Sequence, residues 1–309
     1  MGADIIKTRY DHIDVAKGIG ILSVIGLHSN FHLEIGTTFE MPLFFLLSGI
    51  FIKNKIGGVE FLRKKINTLL IPCFLYYLPV VAYNIYYYLL HKDVNLMDCF
   101  EKAAVPTALW FLVSLFEIHI FGFFILKIKS LPLQIFSSIL LSVIGYGMSY
   151  YEIPSLAYMN TSLSCFIYYY AGYRWAGHIK TNHHNIPIQT VYALTCLAVC
   201  SIVYSIAQPY IFYRNNIFHT SYPVVFACGF SGTFFILYIS KIIKRNAILS
   251  FYGKNSLIIL CTHLYFIKIL QNFQFAPSIL FLLICILMVP VPLLIRKYLP
   301  VLSGNKAII

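Results

Sequence analysis

The chain is expected to fold as an all-α, polytopic integral membrane protein of about ten transmembrane helices, and three observations carry that expectation. Apolar segments of about 15 to 24 residues recur along most of the sequence, each long enough to span or nearly span a hydrocarbon core about 30 Å thick. Only 11% of the 309 residues are charged and 59% are hydrophobic, with a mean hydropathy of +0.77; ordinary soluble domains are about 25% charged. Finally, when the connections between these segments are assigned alternately to two sides, 19 of the 23 Lys and Arg fall on one side. That is the asymmetry expected of cytoplasmic loops.

The spans follow in order at roughly 13–33, 38–53, 68–90, 107–127, 131–150, 155–176, 188–208, 220–240, 254–271 and 277–298. Lys7, Arg9 and Lys17 precede or open the first. The second, FEMPLFFLLSGIF, is short and begins at a proline, as a broken or partly re-entrant helix would. Lys53, Lys55, Arg63, Lys64 and Lys65 separate it from the third. The polar connection His91–Pro106 follows the third span on the far side, with Asp93, Asp98 and Glu101 against two lysines. Lys127 and Lys129 close the fourth span, Arg174 and Lys180 the sixth, and Lys241, Lys244, Arg245 and Lys254 lie between the eighth and ninth. Arg296, Lys297 and Lys306 end the chain on the first side, leaving Lys92, Lys102, Arg214 and Lys268 for the other. An even count puts both termini on one side, and the positive-inside rule makes it the cytoplasm of a cell membrane.

The net charge of +12 is thus a topology signal rather than a nucleic-acid footprint, which would be a basic patch on a folded face. Residues 1–309 read as one membrane domain with no large soluble part. The opening MGADIIKTRYDHIDVAK is too polar for too long to be a cleaved signal peptide. Seven of eight cysteines fall in apolar segments and none forms a CxxC, which argues against a disulfide framework or zinc site. Tyrosines cluster at Tyr76–Tyr88 and Tyr168–Tyr170, mostly near span ends, where amphipathic rings favour the membrane interface.

Ionisable groups inside spans are costly and mark function by default. In the first span Lys17 and His28 lie eleven residues apart, about 20° past three helical turns and roughly 16 Å along one face. If that face lines a cavity, the lysine marks its cytoplasmic mouth and the histidine its inner end. Glu117, with His119 nearby, and His263 lie at comparable depth in the fourth and ninth spans. A histidine beside a carboxylate is the pairing that poises a general base near neutral pH. No HxxxH or HExxH pair accompanies them, so no metal is expected. Ser48 and Ser256 carry hydroxyls but no GxSxG elbow, and read as packing residues or caps.

Arg9, Asp14, Lys17, Gly18 and His28, then MPLFFLLSG at 41–49, resemble the opening signature of acyltransferase family 3, especially its sugar O-acetylase-like branch. LLIP ending at Pro72, LWFL at 109–112, YYYAGY before Arg174 and FYGKNSLIILCTH ending at His263 agree in order. The resemblance implies an integral-membrane enzyme that moves an acyl group, usually acetyl, from cytoplasmic acyl-CoA to a hydroxyl of a cell-envelope saccharide. His28 would be the general base or a transient acyl carrier; beside it, as ionisable groups buried in other spans, Glu117 is expected to orient His28, and His263 to donate to the oxyanion or bind the acceptor. Arg9, Lys17, Arg63, Lys64 and Lys65 would meet the phosphates of acetyl-CoA. Glu40 and Trp110 would face the acceptor. Two positions depart from the family pattern: Glu40 stands where sugar-acetylase relatives often carry His, and paired arginines before LLIP are replaced by Arg63, Lys64 and Lys65. The competing class is a transporter or flippase of a glycan or lipid-linked intermediate, which also uses buried His and Glu.

Overall fold

The computed structural model describes residues 10–52, 57–90, 108–181 and 185–304. Arg9, Lys53, Lys55 and the connection His91–Pro106 lie outside the described residues. Helices lie in every segment where a span is expected. Among the described residues five stretches are long and apolar enough to cross a membrane: Gly58–Leu90, Leu131–Tyr150, Ile186–Ala207, Tyr222–Ile243 and Pro277–Tyr298. Trp110–Ile125 and Ser256–Gln271 are shorter apolar helices.

Helix α1 runs Asp11–His28, and a connection with a 3-10 turn at Glu34–Thr38 leads to α2, Glu40–Gly49. At ten residues α2 is only about 15 Å long, shorter than a span, and nearly all of it is buried by its neighbours. Helix α3 (Gly58–Lys65) passes through a π-helical turn, Ile66–Leu70, into α4 (Ile71–Leu90). Then come α5 (Trp110–Ile125), α6 (Leu131–Tyr150), α7 (Met159–Arg174), the single turn α8 (Ala176–Lys180) and α9 (Ile186–Ala207). An antiparallel hairpin, β1 (Tyr210–Phe212) with β2 (Ile217–His219), pairs Ile211 with Phe218. The chain continues through α10 (Tyr222–Ile243), a short α11 (Ala247–Lys254), α12 (Ser256–Gln271), α13 (Pro277–Leu287) and α14 (Pro290–Tyr298). The last expected span is therefore two helices, broken ahead of Pro290, whose ring cannot donate to the preceding turn.

Two glycine pairs set the packing around α1 and α2. A Cβ on Gly18 would lie 2.0 Å from the Leu249 carbonyl oxygen, and one on Gly253 would lie 1.8 Å from that of Asp14. Helices α1 and α11 thus touch backbone to backbone. Gly49 and Gly172 do the same for α2 and α7, with 2.0 Å to the Tyr169 carbonyl oxygen and 1.9 Å to that of Leu46. Small residues that let backbones meet are the usual device where lipid removes the hydrophobic drive for helix association. Polar side chains are satisfied locally: the hydroxyls of Ser29, Ser48 and Thr262 each donate to a carbonyl one turn back, at 2.7, 2.8 and 2.8 Å.

One expectation is overturned here. Tyr168, Tyr169 and Tyr170 form no interfacial belt; they are 2%, 1% and 5% exposed inside the bundle. Each hydroxyl has an internal partner: Val225 O, His119 Nδ1 and Gln134 Oε1 respectively. Tyr83 and Tyr86 on α4 are exposed, as a belt requires.

Candidate active site

Helices α1, α2, α5 and α12 converge, and between them lie two chambers. We call the Lys17 end of α1 inner and the His28 end outer. The inner chamber, about 210 Å³, is bounded by Lys17 and Ile21 of α1, Ser48 of α2, Leu115 of α5 and Ser256 of α12, with Phe51 just past α2. The outer chamber, about 460 Å³, takes Val24 and His28 from α1, Glu40 and Met41 from α2, Trp110 from α5 and Leu264 from α12. Phe111 and Leu260 belong to both walls. Lys17, Ile21, Val24 and His28 fall within a stripe of about 60° at 100° per residue, so one face of α1 serves both chambers. The face predicted from spacing alone does line a cavity.

At the outer end His28 Nδ1 lies 2.8 Å from the Val24 carbonyl, and His263 Nδ1 lies 2.8 Å from that of Ile259. A carbonyl accepts only, so each Nδ1 carries the proton; the tautomers are assigned from these partners. His263 Nε2 is then an acceptor, 3.3 Å from His28 Nδ1, and the rings meet edge to face at 5.1 Å. His28 Nε2 is left with its lone pair on a side chain that lines the outer chamber. His263 is 0% exposed and lines neither chamber.

The remaining outer wall is built of loops. His32, Glu34 and Thr37 come from the α1–α2 connection, Tyr204 from α9, and Tyr210 to Arg214 from the hairpin. The Tyr213 hydroxyl donates to the Thr38 carbonyl at 2.8 Å, tying hairpin to connection. Asn216, in the left-handed region at φ 54°, turns the strand back. The Ser23 hydroxyl donates to the buried Glu40 carboxylate. An aromatic lining with a few convergent polar groups is the usual build of a small-ligand site. Arg214, His32 and Glu34 are not singled out from the sequence, because irregular connections carry no periodicity to place them, and Tyr204 is one polar tip among the many tyrosines of apolar helices.

At the inner mouth the ammonium groups of Lys17 and Lys180 lie 5.3 and 5.2 Å from the centre of the Phe51 ring. Both are within cation–π range, and Lys180 also approaches Tyr10 at 5.9 Å. Lys180 is a further residue that the sequence treated only as topology. Arg63 and Lys64 are exposed on α3. Lys65 points inward instead, its Nζ 2.9 Å from His119 Nε2, while His119 Nδ1 meets the Tyr169 hydroxyl at 2.7 Å. Glu117 faces α7, where the Ser162 hydroxyl donates to Oε2 at 2.5 Å. The structure thus brings His28 and His263 together and does not bring Glu117 to them. Among the described residues no group of three or more His, Cys, Asp or Glu could hold a metal ion.

A helical bundle with long apolar helices, buried imidazoles and a chamber at each end of one helix face is the build of a membrane protein with chemistry in its interior. Residues 10–297 match the family described as acyltransferase domain, and the chain belongs to acyltransferase family 3. Comparison with curated proteins and with solved structures gave no match. The protein is a membrane acyltransferase.

Proposed function

We propose that the protein transfers an acetyl group from acetyl-CoA, presented at the inner chamber, to a hydroxyl of a cell-envelope saccharide held in the outer chamber. The observation that carries this reading is one helix face ending in Lys17 at the inner chamber and in His28 at the outer. The chain would cross the cell membrane ten times with both termini cytoplasmic, so that the inner chamber opens toward the acyl-CoA pool. Lys17 and Lys180, with Arg63 and Lys64 nearer the surface, would hold phosphate groups of the donor; basic side chains are their natural partners. Trp110, Tyr210 and Tyr213 would stack on sugar faces, with Glu40 and Arg214 accepting from and donating to hydroxyls.

The chemistry follows from the tautomer. The acceptor hydroxyl gives its proton to His28 Nε2 as its oxygen bonds to the acyl carbon. The thioester C–S bond breaks, and the departing thiolate takes the proton back. While His28 is charged, its Nδ1–H is shared between the Val24 carbonyl and His263 Nε2, two acceptors that stabilise the imidazolium. His263 is therefore a positioning residue, in the part a carboxylate plays in a Ser-His-Asp triad. Arg214 supplies positive charge for the oxyanion.

The test is transfer of radiolabel from acetyl-CoA to envelope glycan by the purified protein, wild type against His28→Ala. Transfer that disappears in a folded, membrane-inserted variant supports the reading. Wild-type protein that neither binds acetyl-CoA nor labels glycan would sink it.

A further inference from the structure

Phe111 and Leu260 are the only two side chains common to the walls of both chambers among the described residues. They come from opposite partners, α5 and α12, and each is 5% exposed. Phe111 is braced rather than loose: its ring lies 4.9 Å from that of Phe45 and 6.0 Å from that of Phe44. On α1 the same level falls between Ile21, which faces the inner chamber, and Val24, which faces the outer. On α2 it falls between Phe44 and Met41. All four helices change chamber at one height. The boundary is thus a transverse partition made wholly of apolar side chains, and any group passing from Lys17 to His28 along this face must cross it.

Resting on the reading that acyl donor and acceptor occupy the two chambers, we infer that Phe111, faced by Leu260, is the residue of this protein that selects acyl groups by their width. A straight acyl chain, no wider than the linear arm of the donor that follows it, slips between ring and isobutyl group. A branched or aromatic one has to displace a ring packed against three others, Phe44, Phe45 and, at 6.1 Å, Trp110, in a layer where overpacking costs more than a few contacts return. The partition's side chains also carry no hydroxyl, amide or charged group to hold water, so solvent in the outer chamber stays away from the thioester until it is drawn up to His28.

The experiment uses the full-length protein in lipid vesicles with acetyl-, isobutyryl- and benzoyl-CoA, reading transfer to the acceptor for wild type, Phe111→Ala and Leu260→Ala. The readout is the benzoyl-to-acetyl ratio of kcat/KM for each protein, which does not depend on the fraction folded. The expected result is a rise of at least tenfold in that ratio for Phe111→Ala and a smaller rise for Leu260→Ala. Should Phe111→Ala not fold, Phe111→Leu takes its place with a rise of about threefold. Unchanged ratios in variants that still transfer acetyl would overturn the partition and leave the transfer reading standing. Absence of transfer from every acyl-CoA by wild type would overturn both.

Discussion

Two imidazoles in this molecule, the half-buried His28 and the buried His119, look alike in sequence and differ in what surrounds them. His28 and His119 each sit in an apolar helix, and each contacts a second polar residue from a distant part of the chain. His119 has both ring nitrogens occupied, by Lys65 Nζ and the Tyr169 hydroxyl, and lines neither chamber. His28 has one nitrogen occupied and the other without a described partner at a chamber wall. A saturated imidazole has no lone pair left to accept a proton and serves to join helices α3, α5 and α7. An imidazole with a bare nitrogen at a cavity can do chemistry. Burial of an ionisable group therefore flags a residue, and the occupancy of its second nitrogen decides between structure and catalysis.

The largest effect that sharpens this contrast is on His28. His28→Ala should lower kcat by about 10²- to 10⁴-fold, the usual worth of a general base, with little change in thermal unfolding. A variant retaining more than a tenth of wild-type kcat would break the comparison from its catalytic side. His119→Ala should show the reverse pattern. It leaves the Lys65 ammonium and the Tyr169 hydroxyl without their partner, at a cost of about 1–3 kcal/mol per unsatisfied group. Thermal unfolding in detergent should shift down while activity per folded molecule stays within about threefold. Lys65→Met added to His119→Ala should recover part of that loss, since the desolvated ammonium goes with it.

His263 lies between the two cases: buried, but touching the imidazole proposed as the general base. His263→Ala should lower kcat by about tenfold, or about 1.4 kcal/mol, and leave KM for acetyl-CoA unchanged. His263→Gln, whose amide oxygen can still accept from His28 Nδ1, should restore part of that rate. Equal loss in both variants would mean that the ring fills space rather than orienting His28.

How much of this was legible follows from which quantities a sequence encodes. Lys17 and His28 share one helix, so their common face follows from 100° per residue and needs no tertiary information. The pairing of His28 with His263, 235 residues apart in sequence, was anticipated only as shared depth, because counting from a span end gives height along the axis. Height does not give azimuth. Glu117 fails on both counts: it follows Leu115 of the inner chamber, and so lies on the inner side of Phe111 while His28 lies on the outer, and it sits about 200° round α5 from Leu115. The family motifs mix roles in the same way: Gly18, Gly49, Gly172 and Gly253 hold backbones together, while Lys17 and His28 line chambers. Nothing in residue spacing separates these two uses. The hairpin was invisible because three-residue strands carry too little alternation to register against a hydrophobic background.

The smallest expected effect falls on Glu117, and it tests that placement directly. A carboxylate beside the catalytic imidazole would be the strongest means of raising its basicity, so its removal there would cost orders of magnitude in rate. Glu117 instead accepts from Ser162, whose hydroxyl also lies 2.8 Å from that of Ser114, making a serine-carboxylate knot between α5 and α7. Glu117→Gln preserves the shape and one acceptor oxygen, so kcat and KM should both stay within about twofold, and the stability change should be of the order of one neutral hydrogen bond, about 1 kcal/mol. A hundredfold fall in kcat with unchanged stability would show that α5 slides outward as well as rotates during turnover to bring this carboxylate to the imidazole. The static arrangement of His28 and His263 would then be the resting state rather than the working one.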